Sequence, residues 1–161
     1  MPDPLAYFLT WPTYGTWLPG DPRGWAKKGQ GFQPPDPMRE REAKARMTED
    51  ACLLDVDQRQ LVERTIADHC AIRKWQMHAV NCRTNHVHVV VTADRQPEIV
   101  RDQFKAWCTR KLKGMSLARR GADNQEDSSV RLKWWAEGGS RIFLNDEASV
   151  EAAIQYVRDG Q

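Results

Sequence analysis

The sequence has no apolar run near the roughly 18 residues that a membrane-spanning helix needs, and its start lacks a basic segment followed by an apolar one. Neither a membrane span nor a secretory leader is expected, and the chain reads as a soluble, intracellular protein of the cytoplasm. It also lacks any Cys-x-x-Cys pair. Cys52, Cys70, Cys82 and Cys108 are scattered, which argues against a disulfide framework or a ribbon-type zinc site. Nor is there a strong overall charge bias, since the formal net charge is only +2. At 161 residues a single domain, 1–161, with a real core is expected.

Positive charge is instead concentrated locally. Between Arg101 and Arg120 the basic residues Arg101, Lys105, Arg110, Lys111, Lys113, Arg119 and Arg120 stand against one acid, Asp102. On a helix such a run is commonly a solvated face. In a chain with seven Trp it also suits stacking on unpaired bases.

Hydrophobic periodicity sets the order of elements. Ala6 to Trp11 is aromatic and β-branched and stops at Pro12, so it reads as a strand. Residues 19 to 37 are rich in Pro and Gly, and 38 to 47 are charged and helix-permissive, so about 19–50 reads as a surface excursion ending in a short exposed helix. Asp55 or Asp57 caps a helix whose apolar stripe is Leu61, Val62, Thr65, Ile66, His69 and Ile72, with His69 a structural histidine. Trp75 to Val80 alternates as a strand, and residues 81–85 are short enough to turn it antiparallel into the next one. His78 reads there as a supporting or structural residue. Pro97 opens a helix with Ile99, Val100, Phe104, Trp107, Cys108 and Leu112 on its apolar side, and Gly114 is expected to end it. A polar loop over 121–129 and strands over 130–135 and 140–144 follow, the two strands turning at Glu137-Gly138-Gly139.

The last element is a helix from Asn145 or Asp146 to Asp159, with Val150, Ala153, Ile154 and Val157 as its buried stripe. Tyr156 falls at the edge of that stripe, where a side chain reaches toward a sheet. By itself such a tyrosine is ordinarily a packing residue. The whole order predicts an α+β fold, a ferredoxin-like sandwich in which a central antiparallel sheet carries helices packed on one side.

The stretch with the most chemistry is Asn85-His86-Val87-His88-Val89-Val90-Val91. Alternation along a strand puts His86 and His88 on one face and Val87, Val89 and Val91 on the other. Two neutral imidazoles on a rigid strand hold a divalent ion with little reorganisation. Alone, the pattern suits a zinc site, a cupin-like site or a nuclease, and Cys82 could join it as a third zinc ligand.

The His-Val-His strand followed by one tyrosine on a closing helix resembles the HUH superfamily, and within it the single-tyrosine transposases, including the REP-associated ones. The likeness covers most of the chain: Phe8-Leu9-Thr10-Trp11, the histidine strand, the basic helix after it, and Ala152-Ala153-Ile154-Gln155-Tyr156-Val157. Relaxases usually place their tyrosines ahead of the histidines, so the order favours the transposase and replication-initiator branches. The small size and the lack of a helicase region favour the transposase.

The resemblance implies a single-stranded DNA endonuclease and strand transferase acting beside DNA hairpins. His86 and His88 would hold Mg²⁺ or Mn²⁺, and Tyr156 would be the nucleophile that forms a 5′-phosphotyrosine link, with no nucleotide cofactor. Hard cations want oxygen ligands, and the family adds one from the tyrosine helix, about a turn beyond the tyrosine. This chain departs from the pattern with Gly160 there, which leaves Gln161 as the preferred third ligand and Asp159 as the second choice. For the hairpin, Arg101, Lys105, Arg110, Lys111 and Lys113 are expected on phosphates, with Arg23 and Trp25 reaching bases, unless Trp25, Trp134 and Trp135 simply pack. Family members include helix-swapped homodimers and monomers, and both stay open. A hairpin-binding relative without cleavage activity and a zinc hydrolase built on the His pair are the alternatives.

Overall fold

Seven residues from His86 to Thr92 form a strand buried along almost its whole length, which means that both of its faces are covered. The computed structural model describes residues 3–123 and 130–159. Around that strand, β5 (His86–Thr92), lie β1 (Ala6–Pro12), β4 (Gln76–Cys82) and β6 (Ser140–Leu144), in the order β4-β5-β1-β6, with every neighbouring pair antiparallel. A strand that is central in space but late in sequence follows from two crossovers through helices, α2 (Val56–Arg73) and α3 (Pro97–Asp123). This is the expected ferredoxin-like arrangement.

The odd-numbered side of β5 is the main core. Val87, Val89 and Val91 pack with Leu9 and Trp11 of β1 against Val62 and Ile66 of α2 and Val100, Phe104 and Leu112 of α3. The helix α2 starts where Asp55 and Gln58 exchange side-chain-to-backbone hydrogen bonds, and it stops at Lys74 in a left-handed conformation. Its stripe differs from expectation at the far end, where Cys70 is buried and Ile72 is exposed.

The helices are not all on one side. The last helix, α4 (Glu147–Asp159), packs on the opposite face, where Val157 joins Val90, Ala6, Ala79 and Leu144 in a second small core. The physical reason lies in Val90, an apolar residue on the histidine side of β5 that has to be covered. Thus α2 and α3 lie under the valine face and α4 lies over the histidine face.

Further expectations are corrected. Ile99 and Trp107 of α3 are exposed and lie off its buried stripe. Gly114 does not end α3, because it keeps a helical conformation and is followed by good helix formers, so the helix runs to Asp123. Glycine within a helix costs only about 1 kcal/mol relative to alanine, which a helix this long absorbs. Residues 130–135 form no strand. The Glu49 carboxylate takes the backbone N–H groups of Leu132 and Lys133, and only an isolated bridge from Trp135 to Thr13 joins this segment to the sheet's edge. The excursion after β1 holds a small hairpin, β2 (Trp25–Lys27) and β3 (Gly31–Gln33), before the exposed α1 (Pro37–Arg46). The expected loop at 121–129 falls within α3 for its first three residues, and the rest lies outside the described residues. Gly139 is required where it is, since a Cβ there would lie 2.5 Å from the Thr10 carbonyl oxygen.

No helix among the described residues is long and apolar enough to cross a membrane. The four cysteines are buried, free thiols.

Candidate active site

His86 and His88 stand together on the α4 side of β5, with ring centroids 4.6 Å apart. Each ring is oriented through Nδ1. Asn85 Oδ1 lies 2.7 Å from His86 Nδ1, and a carbonyl oxygen only accepts, so Nδ1 carries the proton and Nε2 the lone pair. Thr10 is opposite His88 in the β1–β5 register and sets its hydroxyl 2.7 Å from His88 Nδ1. That hydroxyl accepts from Nδ1–H in the tautomer whose Nε2 is a ligand, the usual support of a metal-binding imidazole. Phe8 stacks on the His88 ring at 5.6 Å and 11°.

Tyr156 reaches the same face from α4. Its ring centroid is 5.8 Å from that of His88 and 6.0 Å from that of Phe8, both edge-to-face. The helix is aimed by Asp146, whose carboxylate accepts from Ser149 N, and by Val157, which is fully buried. Tyr156, one step from that anchor, is 49% exposed and so open to a substrate from outside. Asn81, the cross-strand neighbour of His88, donates from Nδ2 to the Val157 carbonyl at 2.9 Å and ties the last turn of α4 to the sheet. Histidines and tyrosine therefore meet within one chain.

Cys82 is excluded from this site. It pairs with Val87 and lies in the core under the opposite face, and burial pushes its thiol up to about 12, away from the thiolate that zinc needs. His78 sits at a register shift in β4, between Met77 and Ala79, and its Nε2 donates to Thr92 Oγ1, whose own proton goes to the Leu5 carbonyl. Burial lowers its pKa and keeps it neutral, as suits a supporting residue. His69 is structural, bonded to Gln103 among Trp75, Phe104 and Trp107.

The donor set fits a divalent ion in part. Two imidazoles with oriented Nε2 atoms supply a nitrogen pair, and a hard cation still needs oxygen. Asp159 ends α4, exposed, three residues past Tyr156, and among the described residues no three His, Cys, Asp or Glu side chains group so as to hold a metal. Gln161 lies outside the described residues.

No family model matches the chain, and no curated protein matches it in sequence. Among solved structures, that of a REP-associated tyrosine transposase bound to a REP hairpin aligns over 97% of this chain with a TM-score of 0.52 at 10% sequence identity. The two share a fold. The alignment covers 66% of that transposase chain, so this chain spans about two thirds of its length.

On this fold the residues expected to grip DNA fare unequally. The helix α3 lies across the sheet from the histidines, and its inner cations serve the protein itself. Arg101 is buried and bonds the Gly139 carbonyl, while Lys105 donates to the Ala136 and Gly138 carbonyls. Burial brings the Lys105 ammonium down to about 8. Arg110, over the Trp107 ring, and Lys111 are exposed, and Lys113 is half-buried. Trp25 is buried, with Nε1 on the Pro34 carbonyl, and does not face bases; Trp134 and Trp135 also pack. Arg23 forms a two-pronged pair with Asp21. Thr10, Asn81 and Phe8 escaped sequence reasoning as site residues, because only strand register brings them beside His88.

Proposed function

We propose that the chain is a metal-dependent enzyme that nicks and rejoins single-stranded DNA beside hairpins, with Tyr156 as nucleophile. The observation that carries this reading is the edge-to-face contact, 5.8 Å between centroids, of the Tyr156 and His88 rings on one sheet face of a single chain. A lone tyrosine at the rim of a helix is a packing residue; one beside a pair of oriented imidazoles has a reaction partner. The fold shared with a transposase bound to a REP hairpin supports the choice of DNA hairpins as substrate class.

In this reading Tyr156 Oη attacks the scissile phosphorus, the O–P bond forms as the bond to the 3′ oxygen breaks, and the product is a 5′-phosphotyrosine with a free 3′-hydroxyl. The phenol loses a proton and the departing 3′ oxygen gains one, so the step is balanced without a nucleotide cofactor. The reverse attack by a 3′-hydroxyl releases Tyr156 and joins strands. His86 and His88 would hold Mg²⁺ or Mn²⁺ through Nε2, with an oxygen ligand from Gln161 or Asp159. When bound, the ion supplies Lewis-acid stabilisation of charge on the phosphate oxygens. Asn85 and Thr10 keep the two imidazoles in their ligand tautomers, Phe8 shields His88 from water, and Asn81 holds α4 so that Tyr156 stays within reach.

A denaturing gel of the protein incubated with a labelled hairpin oligonucleotide tests this. A covalent adduct is expected that needs Mg²⁺ or Mn²⁺ and is lost in Tyr156→Phe and in His88→Ala. Hairpin binding with no adduct under any metal would reduce the chain to a binding protein and overturn the enzymatic reading.

A further inference from the structure

The loop after β1 contains an exposed aromatic that nothing in the core requires. Trp17 is 42% exposed, yet it is held from two sides. Its Nε1 donates to the Gly24 carbonyl at 2.7 Å, and the Arg23 guanidinium lies 4.1 Å over its ring. Arg23 is fixed in turn, with Nε and Nη2 on the two carboxylate oxygens of Asp21 at 2.8 and 2.7 Å and Nη2 also on the Thr16 carbonyl at 2.8 Å. The pair stays ionised, since the Arg23 guanidinium holds the Asp21 carboxyl below the usual carboxylate range. Gly24 sits at φ +91°, and a Cβ there would lie 2.3 Å from the Phe32 ring, so that ring, itself 70% exposed, lies against the same glycine.

This rigid surface begins next to the histidines. Thr13 N donates to the Asn85 carbonyl at 2.8 Å and the Thr16 hydroxyl reaches the same oxygen at 3.3 Å. Asn85 precedes His86, and Trp17 follows Thr16. An indole with one face on a guanidinium and much of the remainder in water has the form of a stacking platform, and a flat, unpaired nucleobase is what such a platform takes.

We propose that Trp17, backed by Arg23, stacks an unpaired base of the single-stranded DNA that flanks the hairpin, on the His86 side of the site. This rests on the DNA reading above. Because Asp21 already neutralises Arg23, the subsite recognises a π-face and not a phosphate. It therefore adds affinity without adding to the salt dependence that phosphate contacts produce.

The test is fluorescence anisotropy with a labelled DNA hairpin bearing single-stranded tails of about ten nucleotides on both sides, compared with the same hairpin whose tails are abasic. Trp17→Ala is expected to weaken binding of the tailed hairpin by roughly 5- to 150-fold. The factor should be the same at about 50 and about 200 mM salt. Wild type should lose a similar factor on abasic tails, Trp17→Ala should lose little more there, and Trp17→Phe should retain most of the affinity. Equal binding of natural and abasic tails by wild type overturns the platform whether or not the variant folds, and so does a Trp17→Ala loss that is undiminished on abasic tails. A loss that shrinks with salt overturns it in favour of a phosphate contact. If wild type binds neither hairpin, the DNA reading itself has failed, and the platform with it.

Discussion

Two hydrogen bonds of 2.7 Å orient the histidine pair, since each engages Nδ1, and in the proposed function Nε2 would be the ligand atom. Such partners are worth about 10- to 100-fold in metal affinity. Thr10→Val keeps the shape and removes the hydroxyl, so Mn²⁺ affinity by calorimetry is expected to fall by about that factor, with Thr10→Ser close to wild type. Affinity within about twofold of wild type in Thr10→Val would show that the hydroxyl plays no part in orienting His88. The shared face of His86 and His88 and the place of Tyr156 at the edge of its helix's stripe were legible in the sequence, because strand alternation and helical phase are properties of one segment. A joint role for the three came only from the family resemblance. Thr10 was not, because its role depends on which residue of β1 lies opposite His88. Trp25 and Arg23 show the same limit from the other side. Both are residue types suited to DNA, but one is buried against Pro34 and the other is locked onto Asp21.

The elements that bring the site together are α2, which pins the sheet from below, and α4, which carries the tyrosine. The cap Asp55 serves α2 twice, accepting from Gln58 N and pairing with Arg119 of α3. Asp55→Ala is expected to lower stability by about 1 kcal/mol in urea unfolding near neutral pH. The Arg119 pair first, and the Gln58 bond with it, hold the Asp55 carboxyl below its ordinary value against a smaller opposing effect of burial. A depressed folded-state value means that this contribution is complete above about pH 4 and disappears as pH falls through the folded value. Wild type and variant should therefore converge in acid, and a difference that persists there would contradict the account. For α4 the tie is Asn81 to the Val157 carbonyl. Asn81→Ala should remove about 0.5–1.5 kcal/mol of local stability and speed amide exchange along the last turns of α4, while exchange in α2 stays unchanged. Helix ends and caps of this kind were readable in advance. The side of the sheet that α4 would choose was readable only from Val90, and the fate of residues 130–135 depended on Glu49, more than 80 positions earlier in the chain.

For the whole molecule, the ferredoxin-like order was predictable from the succession of strand and helix patterns, and the second core on the histidine face is what turns that scaffold into a site. Because α4 packs on the sheet of its own chain, histidines and tyrosine need no second copy. A mixture of a His86→Ala/His88→Ala chain with a Tyr156→Phe chain is expected to give no adduct with a hairpin oligonucleotide, whereas restored adduct would show that α4 is exchanged between chains. The central claim, that a phenol on α4 attacks phosphorus beside the histidine pair, is tested most directly by mass spectrometry of the digested protein after reaction with a hairpin oligonucleotide and Mn²⁺. The account predicts a nucleotide bound through its 5′-phosphate to the peptide containing Tyr156. A nucleotide carried by any other residue, or its continued attachment in Tyr156→Phe, would contradict it.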